Sequence, residues 1–207
     1  MSDNHLPYSI EAMAQDDIGE VMVIERQSFP LPWSWNAYLH ELRDNHHSYY
    51  IVVRLKSPPA PPVSFWMRLI GRPQPRPAPV LGYGGFWLIV DEAHISTIAV
   101  AQEWRGRGLG ELLLLSMIKQ GLGLGARVVT LEVRLSNELA QKLYAKYGFK
   151  IVGERKHYYR DNGENAYLMT VENAGSPQYA QQLQTLQAAL VERLRTQAAE
   201  RSDRDVR

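Results

Sequence analysis

The chain has 207 residues, 45% of them hydrophobic and 22% charged, which suffices for one domain with a substantial core and is too short for two large ones. That apolar content, with 10% aromatics, excludes disorder throughout, and 15 Gly and 12 Pro without a period exclude a collagen-like filament. Lys and Arg total 23 against 22 Asp and Glu, so a formal charge of +1 offers nucleic acid no global attraction, and the absence of Cys excludes disulfides, thiolate metal sites and a cysteine nucleophile.

Residues 1–8 carry Asp3, His5 and Pro7 and no apolar segment, and no window reaches 18 uncharged apolar residues, so a soluble cytoplasmic protein without a secretory signal or membrane partner is expected. Residues 8–13 alternate as a strand. Asp16-Asp17 then opens a helix marked by Ile18, Val21, Met22 and Phe29, which Pro30 and Pro32 break. Ser34 is a plausible cap for a short second helix through Leu42, and residues 48–54 are rich in β-formers. Eight of the 12 prolines lie between Pro58 and Pro79, so residues 56–79 read as an inserted surface loop. Its apolar patch Phe65-Trp66-Met67 fits a loop folded onto the core, a lid, a partner contact or a short strand. Residues 80–90 and 94–100 then predict an antiparallel hairpin turning at Asp91-Glu92.

Beyond Val100 the texture alternates between β and α. A glycine turn leads into an apolar helix over 111–120, a strand follows over 127–133, and Ala140, Leu143, Tyr144 and Tyr147 mark a helix capped by Ser136 or Asn137 and stopped by Gly148. Residues 151–160 and 164–171 read as a hairpin around Asp161-Asn162-Gly163. From Ser176-Pro177, a helix aligns Tyr179, Leu183, Leu186, Leu190 and Leu194 on one face, and its charged end past Arg195 is expected to fray. Docking on the domain, self-association and partner binding are all open to it. The division is a domain over 1–171 and a helical extension over 172–207.

Arg105-Gly106-Arg107-Gly108-Leu109-Gly110 can aim bare N–H groups and a helix dipole at one anion, as in a pyrophosphate cradle, or can be a plain glycine turn. A P-loop is absent, and Gly121, Gly123 and Ala126 match a dinucleotide fingerprint only in reversed helix-to-strand context. The six His show no metal-binding spacing, so no metal is expected, and no serine nucleophile elbow occurs. Glu132, inside an apolar strand, is either a partly buried base with a raised pKa or a group facing solvent, Arg127 or Arg134. Tyr144 on its own reads as a core tyrosine with a marginal hydroxyl.

The order of these pieces resembles the GCN5-related N-acetyltransferase (GNAT) superfamily, whose signature Arg/Gln-x-x-Gly-x-Gly/Ala matches Arg105, Gly108 and Gly110. Leu131-Glu132-Val133-Arg134, Ser136-Asn137, Leu143-Tyr144 and Tyr147-Gly148-Phe149, with Phe29, Pro32-Trp33-Ser34 and Tyr158-Tyr159, look like the ribosomal-protein alanine N-acetyltransferase branch. The likeness covers about residues 8–171; the proline-rich insertion and the tail depart from it. It implies an α/β (α+β) acyl-CoA N-acyltransferase fold, a mixed, mostly antiparallel sheet flanked by helices and splayed between its fourth and fifth strands. It further implies acetyl-CoA as co-substrate, its pyrophosphate on Arg105, Gly106, Arg107, Gly108, Leu109 and Gly110, its pantetheine arm on the backbone of Ile98, Ala99 and Val100, and Asn137 bonded to it. Glu132 would be the general base, Tyr144 the general acid, and Phe29, Trp33, Tyr158 and Tyr159 would hold the acceptor. The implied acceptor is a protein N-terminus, most directly the N-terminal alanine of a small-subunit ribosomal protein, with lysine side chains, other N-termini or a small amine as alternatives and a non-catalytic CoA-binding module as the rival from another class. A monomer or weak dimer is expected. An α-amine suits such a site, being roughly a tenth neutral at pH 7, whereas a lysine is neutral only to about one part in 2,500.

Overall fold

The computed structural model describes residues 6–56 and 78–205. Its strands are β1 (Tyr8–Ala12), β2 (Ser48–Leu55), β3 (Val80–Ile89), β4 (Glu92–Val100), β5 (Val128–Arg134), β6 (Lys150–Arg155) and β7 (Ala166–Val171), in one sheet ordered β1-β2-β3-β4-β5-β7-β6. Every neighbouring pair is antiparallel except β4 and β5. The helices are α1 (Ile18–Ser28), α2 (Trp35–Arg43), α3 (Leu109–Gly123), α4 (Glu138–Lys146) and α5 (Pro177–Asp205).

The apolar run of β2 is explained by burial on both faces. Ile51 and Val53 join the cluster built on α3, while Tyr50 and Val52 join the one under α1 and α2. Along β5 the same alternation sends Val129, Leu131 and Val133 into the α3 core and leaves Thr130 and Glu132 for the opposite face. Leu109, Leu113, Leu114, Met117 and Ile118 of α3 are almost fully buried, because this helix is covered by the sheet on one side and by α5 on the other.

β4 and β5 pair only from Glu92↔Val128 to Ile95↔Leu131 and then part. Immediately past that last rung, the β3–β4 register slips: Phe86 faces Ile95 but Gly85 faces Thr97, so Ser96 is an extra residue, a bulge that bends β4 away. Its hydroxyl donates back to the Gly85 carbonyl at 3.1 Å. Gly85 is required there, since a Cβ would lie 2.3 Å from the Tyr50 ring.

Most predicted elements recur with shifted ends. Ser34 caps α2, accepting from the Ala37 N–H, and Asn137 caps α4. Phe29 lies just beyond α1, extended, rather than on its face. The predicted last hairpin is shorter: its strands end at Arg155 and begin at Ala166, because Arg134 draws Asp161 and Glu164 out of strand pairing into ion pairs at 2.8 and 3.0 Å. α5 docks through Tyr179, Leu183, Leu190, Val191 and Leu194, and its helix runs to Asp205, across residues such as Gln197, Ala198 and Ala199 that favour helix. Most of the proline-rich insertion, with its Phe65-Trp66-Met67 patch, lies outside the described residues.

The β3–β4 turn holds Val90 at φ 58° with its side chain in solvent. A β-branched residue is strained there by about 1 kcal/mol or more. Val90→Gly should therefore raise Tm by about 2–4 °C, read by thermal denaturation.

Candidate active site

Where β4 and β5 separate, each leaves an unpaired edge. The Ala101 N–H donates to the Leu81 carbonyl at 2.9 Å, so by strand alternation Ala99 also faces β3, and Ile98 and Val100 turn their amides towards the opening. The Val100 carbonyl on that side is met by Arg105 Nε at 3.0 Å. Of the three residues predicted to line the pantetheine arm by their backbone, Ile98 and Val100 thus present it to the cleft, and Ala99 supports the strand from the sheet side.

The glycine turn closes one end of the cleft. Gly106 and Gly108 sit at φ 73° and 80°, which lets the chain reverse into the N-terminus of α3. The N–H groups of Gly106, Arg107 and Gly108 have no hydrogen-bond partner among the described residues, while Leu112 N–H already bonds the Gly108 carbonyl. A cradle of free amides at a helix start suits a phosphate group. Arg105 bonds Ser28 as well as Val100, tying the turn to α1, and Arg107 lies over the Trp104 ring at 4.4 Å. Asn137 spends its side-chain oxygen on the Ala140 N–H, leaving its amide nitrogen for a ligand.

On the α1–α2 face, Glu132 is the first β5 residue beyond the last rung, and its side chain is 5% exposed. Its Oε2 lies 2.7 Å from His94 Nε2, and an ionised carboxylate only accepts, so the imidazole N–H donates. Its Oε1 lies 3.0 Å from Arg155 Nη2 without hydrogen-bond alignment, so this buried oxygen has a charged neighbour but no hydrogen bond among the described residues. Burial acts to raise the Glu132 pKa, but the His94 hydrogen bond and the charges of His94 and Arg155 outweigh it and hold the carboxyl below its ordinary value. The raised pKa predicted from sequence is therefore corrected, and so are the suggested partners: Arg134 goes to the loop after β6. Neither His94 nor Arg155 was singled out in the sequence. His94 shares the α1–α2 face two residues before the bulge, a pattern visible only once the strand register is known.

Tyr144 stands on α4, half-buried, its ring 5.9 Å from Phe149. Burial pushes its phenol up to about 12, and its hydroxyl has no hydrogen bond among the described residues. Trp33 stacks on Trp87 at 6.2 Å, and Trp87 meets His94 edge-on at 5.7 Å, forming an aromatic wall that leads to Glu132. Across from it, Tyr158 and Tyr159 pack edge to face, and Arg134 lies 3.7 Å over the Tyr159 ring, which pins this loop. Burial, followed by the negative charge of Glu132, raises the Tyr158 phenol. Contacts thus run from Trp33 through Trp87 and His94 to Glu132, Tyr158 lies close enough to feel the charge of that carboxylate, and Phe29 is half-buried at the end of α1.

The turn carrying Trp33 is anchored from beneath. Glu25 of α1 is 2% exposed; it accepts the Trp33 N–H at 2.8 Å and hydrogen bonds from the Tyr38 and Tyr83 hydroxyls. Burial raises its pKa against those hydrogen bonds.

The family model of the GNAT acetyltransferases matches residues 20–149, and the chain belongs to that family. A Bacillus subtilis (strain 168) protein provisionally named ribosomal protein bS18-alanine N-acetyltransferase is 36% identical over 163 residues, 79% of this chain and 94% of that protein. The Mycobacterium tuberculosis N-alpha-acetyltransferase RimI is 31% identical over 177 residues, 83% of this chain and 96% of its own. Among solved structures, the ribosomal-protein-S18-alanine N-acetyltransferase of Escherichia coli shares the fold with TM-score 0.62 at 23% identity, over 79% of this chain and 92% of that one. Arabidopsis thaliana NAA60 in complex with acetyl-CoA does so with TM-score 0.65 at 17% identity, over 79% and 97%. The protein is an acetyl-CoA-dependent acetyltransferase.

Glu25→Ala would strand the Tyr38 and Tyr83 hydroxyls and the Trp33 N–H in a buried setting. It should lower stability by about 3 kcal/mol, measured as a drop in the urea midpoint at unchanged m.

Proposed function

We propose that this enzyme is an Nα-acetyltransferase, moving the acetyl group of acetyl-CoA onto a protein N-terminus, with the N-terminal alanine of a small-subunit ribosomal protein as acceptor. The observation that carries the reading is the placement of Glu132: a carboxylate whose side chain is 5% exposed, the first β5 residue beyond the last β4 rung, with His94 bonded to Oε2 and Oε1 ion-paired to Arg155 but without an aligned hydrogen bond among the described residues. An acceptor oxygen so placed suits an incoming amine or the water that relays its proton. The names borne by the relatives from Bacillus and Mycobacterium support the same class of acceptor.

Acetyl-CoA supplies an activated acyl thioester, and the chain supplies the rest. The amides of Gly106, Arg107 and Gly108 suit the pyrophosphate, and Ile98 and Val100 present backbone groups along the arm. Arg105 keeps the turn shut against α1 by bonding Ser28. The groove between Trp33 and Tyr158 holds an extended N-terminus largely by apolar contact, which limits the demand on its sequence. Glu132 accepts the proton that leaves the attacking amine, and His94 shares the charge through its bond to Oε2. A free N–H on the open β4 edge can donate to the carbonyl oxygen as negative charge develops on it. Tyr144, whose pKa of about 12 keeps it protonated, offers its hydroxyl to the departing sulfur.

Glu132→Gln should reduce kcat/KM at least about 100-fold, and Tyr144→Phe should reduce kcat about ten- to 100-fold with little change in the KM for acetyl-CoA. Both are read by CoA release with an alanine-initiated peptide, and wild-type turnover from Glu132→Gln would overturn the role of this carboxylate.

The pH profile tests the acceptor class. Because the Glu132 pKa lies below the ordinary carboxylate value, the group is ionised throughout the range in which amines titrate and adds no limb there. kcat/KM should therefore rise with pH to a plateau set by the α-amine, at about 7.7–8.0, whereas a lysine acceptor would carry the rise towards about 10.4. Fragment masses of the product should place the acetyl group on the α-nitrogen; an ε-acetylated product would replace this reading with the lysine alternative.

A further inference from the structure

The C-terminal helix lies outside residues 20–149, the stretch that defines the family, yet it reaches the phosphate turn. A Cβ placed on Gly108 would lie 3.1 Å from Leu194 and 3.3 Å from Arg193 Nη2, so α5 is packed against the residue that starts α3. One turn into α3, Glu111 is 7% exposed, an acidic group close to amides suited to an anion. Three donors hold it: Lys146 at 2.6 Å, Arg193 at 2.5 Å and the Tyr147 hydroxyl at 2.9 Å. Burial alone would raise its pKa, but these bonds bring it below the ordinary value, so Glu111 is a fixed negative charge.

That charge opposes a bound diphosphate. Lys146 by itself brings the pair to neutrality, and Arg193 makes the local sum positive. The turn's own arginines are placed differently, Arg105 being bonded to Val100 and Ser28 and Arg107 lying over the Trp104 ring. Among the described residues Arg193 bonds only Glu111, its side chain is 43% exposed, and the Nη2 that makes this bond, which carries a second N–H, is the atom that would lie 3.3 Å from a Cβ on Gly108.

We propose that Arg193, delivered by the C-terminal extension, is a phosphate-recognition residue of the CoA site: it offsets Glu111 and presents a guanidinium to the phosphates held at the glycine turn. The extension thus completes the cofactor site. This rests on the acetyl-CoA reading above, and it concerns the nucleotide end of the donor, not the acetyl end.

The test uses the full-length enzyme and two ligands, CoA, and acetyl-pantetheine, which lacks every phosphate. By calorimetry, Arg193→Ala should weaken CoA about tenfold and flatten the salt dependence of its Kd, and Arg193→Lys should recover part of the loss. The ratio of kcat/KM for acetyl-CoA to that for acetyl-pantetheine should fall about tenfold in Arg193→Ala. Adding Glu111→Gln to Arg193→Ala restores the local charge sum and should restore most of the CoA affinity. A purely structural tether between α5 and α3 predicts the reverse: an unchanged ratio and no rescue by Glu111→Gln. Either of those results, or an unaltered Kd for CoA in Arg193→Ala, overturns the proposal. Failure of the wild type to turn over acetyl-CoA would instead overturn the enzymatic reading itself.

Discussion

The parting of β4 from β5 is the constraint on which the rest of the site depends. A parallel pair satisfies its edge groups only as long as the two strands run side by side, and here the extra residue at Ser96 bends β4 out of line one position after Ile95. The bulge is tolerated because Gly85 leaves room for the Tyr50 ring and accepts the Ser96 hydroxyl. Past it, the amides of Ile98 and Val100 have no strand to pair with among the described residues. Leaving backbone groups unpaired in a protein is unfavourable unless water or a ligand meets them, so the same break that weakens the sheet creates a binding edge. Glu132 is the first residue beyond the break on the facing strand, and the geometry of the reaction centre follows from that single offset.

Three buried carboxylates show how differently one side chain can be used. Glu25 is satisfied by neutral donors from Trp33, Tyr38 and Tyr83, and burial raises its pKa; it shapes the turn that carries Trp33. Glu111 is held by two cations and a phenol and stays ionised; it links α3, α4 and α5 just past the glycine turn. Glu132 also stays ionised, but only one of its oxygens is hydrogen-bonded. The first two have their oxygens fully engaged, as suits structural posts. The third has an oxygen that is ion-paired to Arg155 but carries no hydrogen bond among the described residues, the arrangement on which the proposed role as base rests.

Much of this was legible in the residues. The glycine turn before an apolar helix, the Asn137 cap and the Gly148 stop are local devices, and local devices are written in short spans of sequence. The stripe of α5 was equally readable, because its period reports the face that is buried. The partners of Glu132 were not. Arg155 and His94 lie far from it along the chain, and their approach depends on a parallel register and a shortened hairpin that no local pattern encodes. The sign of its pKa shift was missed for the same reason: burial can be guessed from an apolar strand, whereas the donors that outweigh burial come from elsewhere. Nor could the sequence show that Arg134 would be drawn to Asp161 and Glu164, setting the loop that carries Tyr158 and Tyr159.

By itself, then, the amino-acid sequence determined most of the elements, their order and the glycine turn before an apolar helix, since these rest on periodicity, capping and spacing within a few tens of residues, and the order of those pieces carried the resemblance to the family. Only the tertiary structure decided which charges meet. It chose His94 and Arg155 over Arg134 for Glu132, left one carboxylate oxygen without a hydrogen bond among the described residues, and brought Arg193 from the last helix to Gly108 and Glu111. The physical reason is that ion pairing falls off over a few ångströms, and such distances between remote residues exist only after the sheet has set its register and the helices have packed upon it.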